Sequence, residues 1–292
     1  MDDQTYASLE ERLNSFAYDE RTSALKQLAE SIGSGKIEVP AIRHEVNIHY
    51  HTFFSFNTEN WSPSRIAWEC FKYGLEISGI VDFDVLDGMD EFIRAGRLLG
   101  IKAVVGMETR VFIRELADKV ISSPNEPGVA YFMASGCCRL PEEGSESAEI
   151  LRRMREMAKK RNLDLVERIN AYLDDVKVDY DKDVIPLTPS GNCTERHLLL
   201  AYDKKARSVF ADDSALANFW ARKLGVTEED ASYLIGEIPK FHEKMRAKLM
   251  KFGGAGYVAP DSETFPSIED AVKMIRGMGA IPTIAWLDGT SP

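Results

Sequence analysis

Strand-like and helix-like segments alternate in the first half of this chain, and this alternation constrains the fold more than any other feature. Val46–Tyr50 and residues 101–105 have the pattern of strands, and residues 77–81 form an apolar run typical of a buried strand. Between them, residues 62–74 and 87–100 carry apolar side chains at helical spacing and end in glycine. Strands separated by helices and short connections predict a parallel α/β sheet or barrel.

The segments on either side of this core have a different character. Residues 1–43 have apolar side chains at helical spacing, among them Leu9, Leu13 and Phe16. Past Val111 the alternation loosens, and helical patterns dominate. We therefore predict an N-terminal helical extension over residues 1–43 and one α/β domain over residues 44–292, with a mainly helical insertion at about residues 140–256.

Composition excludes a disordered chain, and the net charge disfavours a nucleic-acid-binding protein. Of the 292 residues, 44% are hydrophobic and 28% are charged, which are values of globular rather than disordered chains. Lys and Arg number 36 against 47 Asp and Glu, so the formal net charge is −11. A protein that grips nucleic-acid phosphates is expected to be basic. The basic run at residues 151–161 keeps a nucleic-acid partner open, but a solvated helix face is favoured.

The cysteines and the start of the chain bear on location. No apolar stretch approaches the length of a membrane span, and the first ten residues are acidic where a secretory or transit peptide is basic. The four cysteines form no C-x-x-C pair, and adjacent Cys137 and Cys138 are awkward disulfide partners. We predict reduced thiols, a cytoplasmic location and no membrane partner.

Two of the five histidines, His49 and His51, lie one residue apart at the end of a predicted strand. Residues two apart on a strand point to the same face, so both imidazoles can converge on one point. At the C-terminal end of a parallel sheet, that point is where ligands bind. Imidazole is the commonest metal ligand among side chains, which predicts a metal site. The alternative is two half-buried histidines that only satisfy hydrogen bonds.

Carboxylates follow the next two predicted strands. Asp82 comes directly after residues 77–81, and Glu108 comes after residues 101–106. If three successive strand ends meet at one rim, they bring two imidazoles and two carboxylates together, a set that would balance one divalent cation. Acidic residues at strand ends also cap the following helix, which is the alternative for Asp82. Glu108 has no predicted helix after it to cap.

Four short motifs resemble those of one family. HYHTFFS at residues 49–55 matches an H-x-H-[T/S]-x-x-S opening, and GME at 106–108 matches a G-x-E motif. TERHL at 194–198 is similar to a T-R-x-H-[I/L] helix start, and GAIPTIA at 279–285 is similar to a strand that leads into A-H-P. The pattern resembles the PHP domain, a metal-dependent phosphoesterase module found alone and in bacterial replicative DNA polymerases.

This resemblance implies a fold, a reaction and a ligand set. Family members form a distorted β/α barrel of seven strands, whose rim binds up to three Zn, Mn or Fe ions that activate water for attack on a phosphoester. The substrate would be a phosphorylated small molecule or a nucleotide. The residues that would contribute to catalysis are Glu108, Asp82 and His197. The metal ligands would be His49, His51, Glu108, Asp82 and His197.

The chain also departs from the family pattern. Phe83 stands where a T-D-H motif has its histidine, and Trp286 stands where an A-H-P motif has its histidine. Another family histidine falls near Tyr131, and the closing D-x-H motif would lie beyond Pro292. We therefore expect a barrel that is incomplete at its C-terminal end, with one or two metal ions rather than three.

Three functions follow as hypotheses. The first is a metal-dependent phosphoesterase, and the second is a degenerate, non-catalytic PHP module that serves as a binding or scaffolding domain. A third, a DNA-processing accessory domain, depends on family association alone. A nucleophilic pair of Cys193 and His197 is a weaker candidate, because no third group is predicted to orient it.

Overall fold

A computed structural model describes residues 2–285 of the chain and has a mixed α/β fold, as predicted. Its five strands form one open sheet in the order β1-β2-β3-β4-β5. The strands are β1 Val46–Tyr50, β2 Ile77–Phe83, β3 Lys102–Phe112, β4 Val129–Ser135 and β5 Ile281–Ile284. The helices of the described part are α1 Asp3–Arg12, α2 Tyr18–Gly33, α3 Pro63–Tyr73, α4 Met89–Leu99, α5 Glu146–Leu173, α6 Glu195–Val209, α7 Asp213–Leu224, α8 Glu228–Gly236, α9 Ile238–Leu249 and α10 Ile268–Gly277.

The first three strands run parallel, joined by α3 and α4. This confirms the alternation predicted from the sequence. The register of β2 and β3 is continuous over seven residue pairs, from Ile77 opposite Lys102 to Phe83 opposite Glu108. Both strands extend further than the apolar runs indicated, so Asp82 and Glu108 lie inside strands rather than after them.

The sheet does not close into a barrel within residues 2–285. Strand β5 pairs antiparallel with β4, which leaves β1 and β5 as the two edges of an open sheet. Of the predicted barrel, the described residues therefore show an open five-stranded sheet and no closure. Trp286 and the residues that follow it lie outside the described residues.

Local sequence defines both ends of helix α3, which connects β1 to β2. Ser62 accepts a hydrogen bond from the backbone N–H of Arg65, and Pro63 occupies the first helical turn. Gly74 ends the helix with a φ of 72°, a left-handed conformation that glycine adopts without strain. Its carbonyl accepts from the N–H of Arg43, which guides the chain into β1 alongside β2.

Contacts divide the chain into two compact units. The first unit comprises residues up to Thr109, Tyr131–Arg152 and Glu269–Ala285, so it contains the two N-terminal helices and most of the sheet. Trp68, Phe92, Ile80 and Met107 are among its fully buried side chains. The predicted domain boundaries at residues 43 and 44 remain predictions.

Among the described residues, the second unit comprises Arg110–Ala130 and Arg153–Ile268. It is mainly helical, and helices α6–α9 lie within the segment predicted as an insertion. Its apolar core includes Trp220, Phe219 and Tyr202, each of which is fully buried. None of the helices described here combines the length and apolar character needed to cross a bilayer.

Within the first unit, a buried ion pair joins the N-terminal helix α2 to helix α4. The guanidinium of Arg21 on α2 bonds the carboxylate of Glu91 on α4, with an Nη2–Oε2 distance of 2.6 Å, and both side chains are about 4% exposed or less. Glu91 also accepts hydrogen bonds from the N–H and the hydroxyl of Ser64 at the start of α3. Arg21 lies over the ring of Phe53, 5.3 Å from its centroid, and Phe16 packs edge-on against the same ring. The predicted helical extension thus packs on the loop that follows β1.

Candidate metal centre

Three of the predicted ligands meet at the C-terminal end of β1 and in β3. His49 lies in β1, His51 directly follows that strand, and Glu108 lies in β3. One ligand atom of each lies within 4.8 Å of the others, and among the described residues no other group of three metal-ligating side chains meets this distance. All three belong to the first unit. The spacing of two residues in H-x-H and the pairing of adjacent parallel strands produce this convergence.

Both imidazoles converge on a single carboxylate oxygen. The Nε2 atom of His49 lies 3.2 Å from Oε2 of Glu108, and the Nε2 atom of His51 lies 3.4 Å from that same oxygen. The two rings stand edge to face, with centroids 5.4 Å apart and planes at 71°. The three donor atoms thus face one small volume between them.

Burial and hydrogen bonding have opposite effects on the pKa values of the residues in this centre. Glu108 is 7% exposed, and burial alone would raise its pKa. Hydrogen bonds from His49 and His51, together with their charges, outweigh burial, so the pKa of Glu108 is lowered. The hydrogen bond to Glu108 in turn raises the pKa of His49, against the effect of burial. Glu108 is therefore held as a carboxylate.

Phe83 lies on the same side of the sheet as Glu108, because the two are Cα partners in neighbouring parallel strands. Its ring stacks on His51, with centroids 5.1 Å apart and planes 3° from parallel. Tyr131 lies next to Phe83 at 6.4 Å between centroids. The family pattern has a histidine at the position of Phe83 and another near Tyr131. Aromatic rings therefore line this side of the centre.

Asp82 lies outside the group of three ligands. It pairs in register with Met107, one residue before Glu108, so its side chain points to the opposite face of the sheet. The carboxylate is 2% exposed and accepts three hydrogen bonds of 2.7 Å, from the N–H and hydroxyl of Thr52 and from the hydroxyl of Ser55. Burial raises the pKa of Asp82, and these hydrogen bonds act against that rise.

His197 also lies outside this group, and it belongs to the second unit. It occupies the first turn of α6, where its Nδ1 atom accepts a hydrogen bond of 3.0 Å from the N–H of Thr194 in a capping box. Burial lowers the pKa of His197 to about 4, so the ring is neutral at pH 7. Burial raises the pKa of neighbouring Cys193 to about 11, which keeps it a thiol and makes it a poor nucleophile.

The three donors fit one divalent cation. Two imidazole nitrogens and one carboxylate oxygen are ligands that Zn and similar ions accept. Ligand atoms about 2.1 Å from a tetrahedral ion lie about 3.4 Å from each other, and the two measured separations are 3.2 and 3.4 Å. A set of three protein ligands leaves one coordination position open, as in catalytic rather than structural zinc sites.

Two further polar residues at the centre were missed by the sequence analysis. The hydroxyl of Ser55 lies 3.5 Å from Nδ1 of His51, and the N–H of Asp84 donates to the carbonyl of Glu108. Asp84 also accepts a hydrogen bond from the hydroxyl of Thr109. The serine is part of the matched HYHTFFS motif, but its position there gave no indication of a contact with His51.

Comparisons with known proteins support the fold. No protein-family model matches the chain, and no curated protein matches it significantly. A solved structure from Bifidobacterium adolescentis, described as a "putative metal-dependent phosphoesterase", is 19% identical with a TM-score of 0.54 and is matched over 85% of this chain and 68% of its own. An amidohydrolase from Chromobacterium violaceum, with bound sulfate and no metal, is 16% identical with a TM-score of 0.52 and is matched over 82% and 66%.

These similarities show that the chain shares its fold with these two structures. The chain spans about two thirds of the length of each of these structures.

Proposed function

We propose that this protein is a metal-dependent phosphoesterase of the PHP type, in which His49, His51 and Glu108 hold a divalent ion. The observation that carries the proposal is the convergence of these three donors within 4.8 Å of one another. The structural similarity to a protein described as a metal-dependent phosphoesterase supports it. The reaction is hydrolysis of a phosphate ester, and the chain acts in the cytoplasm.

A divalent ion in this centre would lower the pKa of a water molecule towards neutrality and polarise the phosphoryl oxygen. The role of the protein is to present two imidazoles and an ionised carboxylate, and the lowered pKa of Glu108 favours the ionised form of that carboxylate. We propose one Zn, Mn or Fe ion rather than three, because Phe83 occupies one position where the family pattern has a ligand and Tyr131 lies near another. Asp82 and His197 are not included among the ligands.

A phosphorylated small molecule or a nucleotide is the proposed substrate. The ring of Phe83 and that of neighbouring Tyr131 lie beside the ligands, where aromatic faces can stack on a planar ring or a sugar. A net charge of −11 disfavours a long nucleic acid, which would be repelled by the chain as a whole.

One observation favours a second function, a non-catalytic binding or scaffolding module. Phe83 lies against His51, at the position where the family pattern has the histidine of T-D-H. An aromatic ring cannot bind a cation as an imidazole nitrogen does. In this alternative, the centre hydrolyses no ester.

Metal analysis combined with an activity assay tests these two functions. The purified protein is expected to contain about one equivalent of divalent ion, which the double variant His49→Ala/His51→Ala loses. His44→Ala is the matched control, because the His44 side chain is 81% exposed and pairs with Glu76 instead. An ion content well below one equivalent, unchanged in the double variant, would rule out the metal-dependent phosphoesterase.

The activity assay separates the two functions from each other. With Mn²⁺ added, hydrolysis of p-nitrophenyl phosphate or bis-p-nitrophenyl phosphate that Glu108→Ala abolishes supports the enzyme. Binding of one ion without hydrolysis of either ester supports the non-catalytic module.

A further inference from the structure

The loop between β1 and α3 spans residues 51–62, begins with the proposed ligand His51 and is bonded back to that residue. The side-chain amide of Asn57 donates to the carbonyl of His51 at 2.9 Å and accepts from the N–H of Trp61 at 3.2 Å. The N–H of Phe53 donates to the carbonyl of Trp61 at 2.9 Å, which closes the loop on itself. A shift of this loop would therefore move the backbone of His51.

The loop contains a strained residue. Phe56 has a φ of 119°, which lies in a region that residues with a Cβ atom rarely adopt. Its N–H donates to the carbonyl of Thr52 at 3.0 Å, so the unusual backbone conformation closes the turn that follows His51. Strain of this kind persists where the surrounding structure enforces it. The conformation of the loop thus depends on contacts from outside it.

The N-terminal segment supplies such contacts at both ends of the loop. The ring of Phe53 is 1% exposed and lies edge to face with Phe16, with centroids 5.4 Å apart and planes at 85°. The guanidinium of Arg21 lies 5.3 Å from the centroid of the same ring. At the other end, the hydroxyl of Ser62 donates to the carbonyl of Leu13 at 2.6 Å. Phe53 and Ser62 are thus both held by the segment that contains α1 and α2.

Phe53 also joins the loop to the residues that follow β2. It forms a small buried apolar cluster with Phe54 and Val85. A cluster of three side chains buries little apolar surface by itself. Because Phe16 and Arg21 also contact Phe53, undocking of the N-terminal helices would expose to water the ring that anchors the loop.

We propose that Phe16 and Arg21 are positioning residues of the metal centre, which act through Phe53 to hold the loop in the conformation that places His51 beside Glu108. This inference rests on the proposed function for the ion itself, whereas the order of the loop is a property of the metal-free protein. The N-terminal helices are then coupled to the centre, since docking them favours binding of the ion and the ion favours docking by the same factor.

Amide hydrogen exchange in the metal-free protein tests the first step, from Phe16 to the loop. Exchange of a protected amide reports the free energy of local opening. Phe16→Ala removes the edge-to-face contact with Phe53 and is expected to speed exchange in residues 53–56 about tenfold. Phe16→Tyr keeps the ring and should restore slow exchange, because the side chain is 42% exposed and an added hydroxyl can reach water. Unchanged exchange in Phe16→Ala would overturn the inference.

Metal binding tests the second step, from the loop to the centre. The Zn²⁺ affinity of Phe16→Ala is expected to fall about tenfold. The visible absorption of the Co²⁺-substituted protein should change as well, because it depends on the geometry around the ion. Arg21→Lys keeps a charge next to Glu91 but removes the planar guanidinium over Phe53, so both measurements should change in the same direction. Phe16→Tyr should restore both.

Met274→Ala is the matched control for a loss of stability alone. Met274 is fully buried in α10, which belongs to the first unit and leads into β5, at the other edge of the sheet from β1. Truncation of its side chain should destabilise this unit without changing loop exchange, Zn²⁺ affinity or the Co²⁺ spectrum. Equal effects of Met274→Ala and Phe16→Ala on these three measurements would contradict the positioning role.

The outcomes separate this inference from the proposed function. If the unmodified protein binds no Zn²⁺, the proposed function fails, and loop exchange alone decides the positioning role. If Zn²⁺ binds equally well to Phe16→Ala and to the unmodified protein, the positioning role is wrong and the proposed function stands. If Phe16→Ala does not fold, Phe16→Leu, which keeps an apolar side chain without the ring edge, is measured in its place.

Discussion

His51 lies flat against Phe83, with ring centroids 5.1 Å apart and planes 3° from parallel. Phe83 is also the Cα partner of Glu108, so one aromatic side chain lies beside two of the three proposed ligands. Parallel rings at this distance restrict the rotation of the imidazole. Phe83 therefore contributes to the shape of the centre although it has no atom that binds a cation.

The position of Phe83 predicts the effect of adding a ligand. Phe83→His places an imidazole next to His51 and on the same face as Glu108. A fourth donor should raise Zn²⁺ affinity at least about tenfold, which corresponds to about 1.4 kcal/mol, measured by competition with a chelating dye. Phe83→Leu is the control that removes the stacked ring without adding a donor. Equal affinity of the two variants would contradict the prediction.

The buried ion pair between Arg21 and Glu91 predicts the stability of the N-terminal helices. Each partner is about 4% exposed or less, so removing one leaves a buried charge unpaired. Arg21→Ala or Glu91→Gln should lower the free energy of unfolding by about 3–5 kcal/mol, measured by urea denaturation. Arg12→Ala should cost less than about 1 kcal/mol, because the Arg12–Glu20 pair is 36% and 47% exposed. Equal losses for the buried and the exposed pair would contradict this.

Because His197 is buried and neutral in the folded protein, we expect the protein to lose stability in mild acid. Burial lowers its pKa to about 4, below the ordinary value of 6.5. The unfolded chain therefore binds a proton between these values that the folded chain does not, and stability is lost as the pH falls from about 6.5 to about 4. The full effect is roughly 3 kcal/mol. His197→Asn should flatten the pH dependence of thermal unfolding in this window, and an unchanged pH dependence would contradict the prediction.

The ion pairs of Glu195 in the second unit lead us to expect a further loss of stability at lower pH. Burial alone would raise its pKa, but Arg110, Lys251 and Arg246 together lower it below the ordinary value of 4.5. Because the folded-state pKa is depressed, the stabilisation is present above about pH 4.5 and is lost as the pH falls below it. Glu195→Gln should cost about 3–5 kcal/mol at pH 7, measured by thermal unfolding. The exposed Glu243, which pairs with Arg196, provides the control Glu243→Gln, and an equal loss there would contradict the prediction.

The parts of the centre that depend on short-range regularities could be predicted from the sequence. The spacing of two residues in H-x-H placed His49 and His51 on one side of a strand, and the strand–helix alternation placed Glu108 two strands away on the same rim. Neither inference required the exact residue at which a strand or helix begins or ends. Both histidines lie close to Glu108 in the structure, with Nε2–Oε2 distances of 3.2 and 3.4 Å.

The face of the sheet on which Asp82 lies could not be predicted from the sequence. It depends on the register of β2 to within one residue, and the apolar pattern does not define the register that closely. Strand β2 continues to Phe83, so Phe83 and not Asp82 is opposite Glu108. The capping role of His197 was hidden for a similar reason, since a histidine at the third position of a helix has the same sequence signature whether it caps or ligates. The Arg21–Glu91 pair spans 70 residues and has no local signal at all.

That separation of 70 residues has a consequence for synthesis on the ribosome. Arg21 emerges long before α4 and must remain hydrated until Glu91 has been made, because an unpaired charge is not buried. Helices α1 and α2 therefore dock only after the strands of the first unit have begun to assemble. Although α2 is translated before α4, it reaches its final place only afterwards, packing over the loop that carries Phe53.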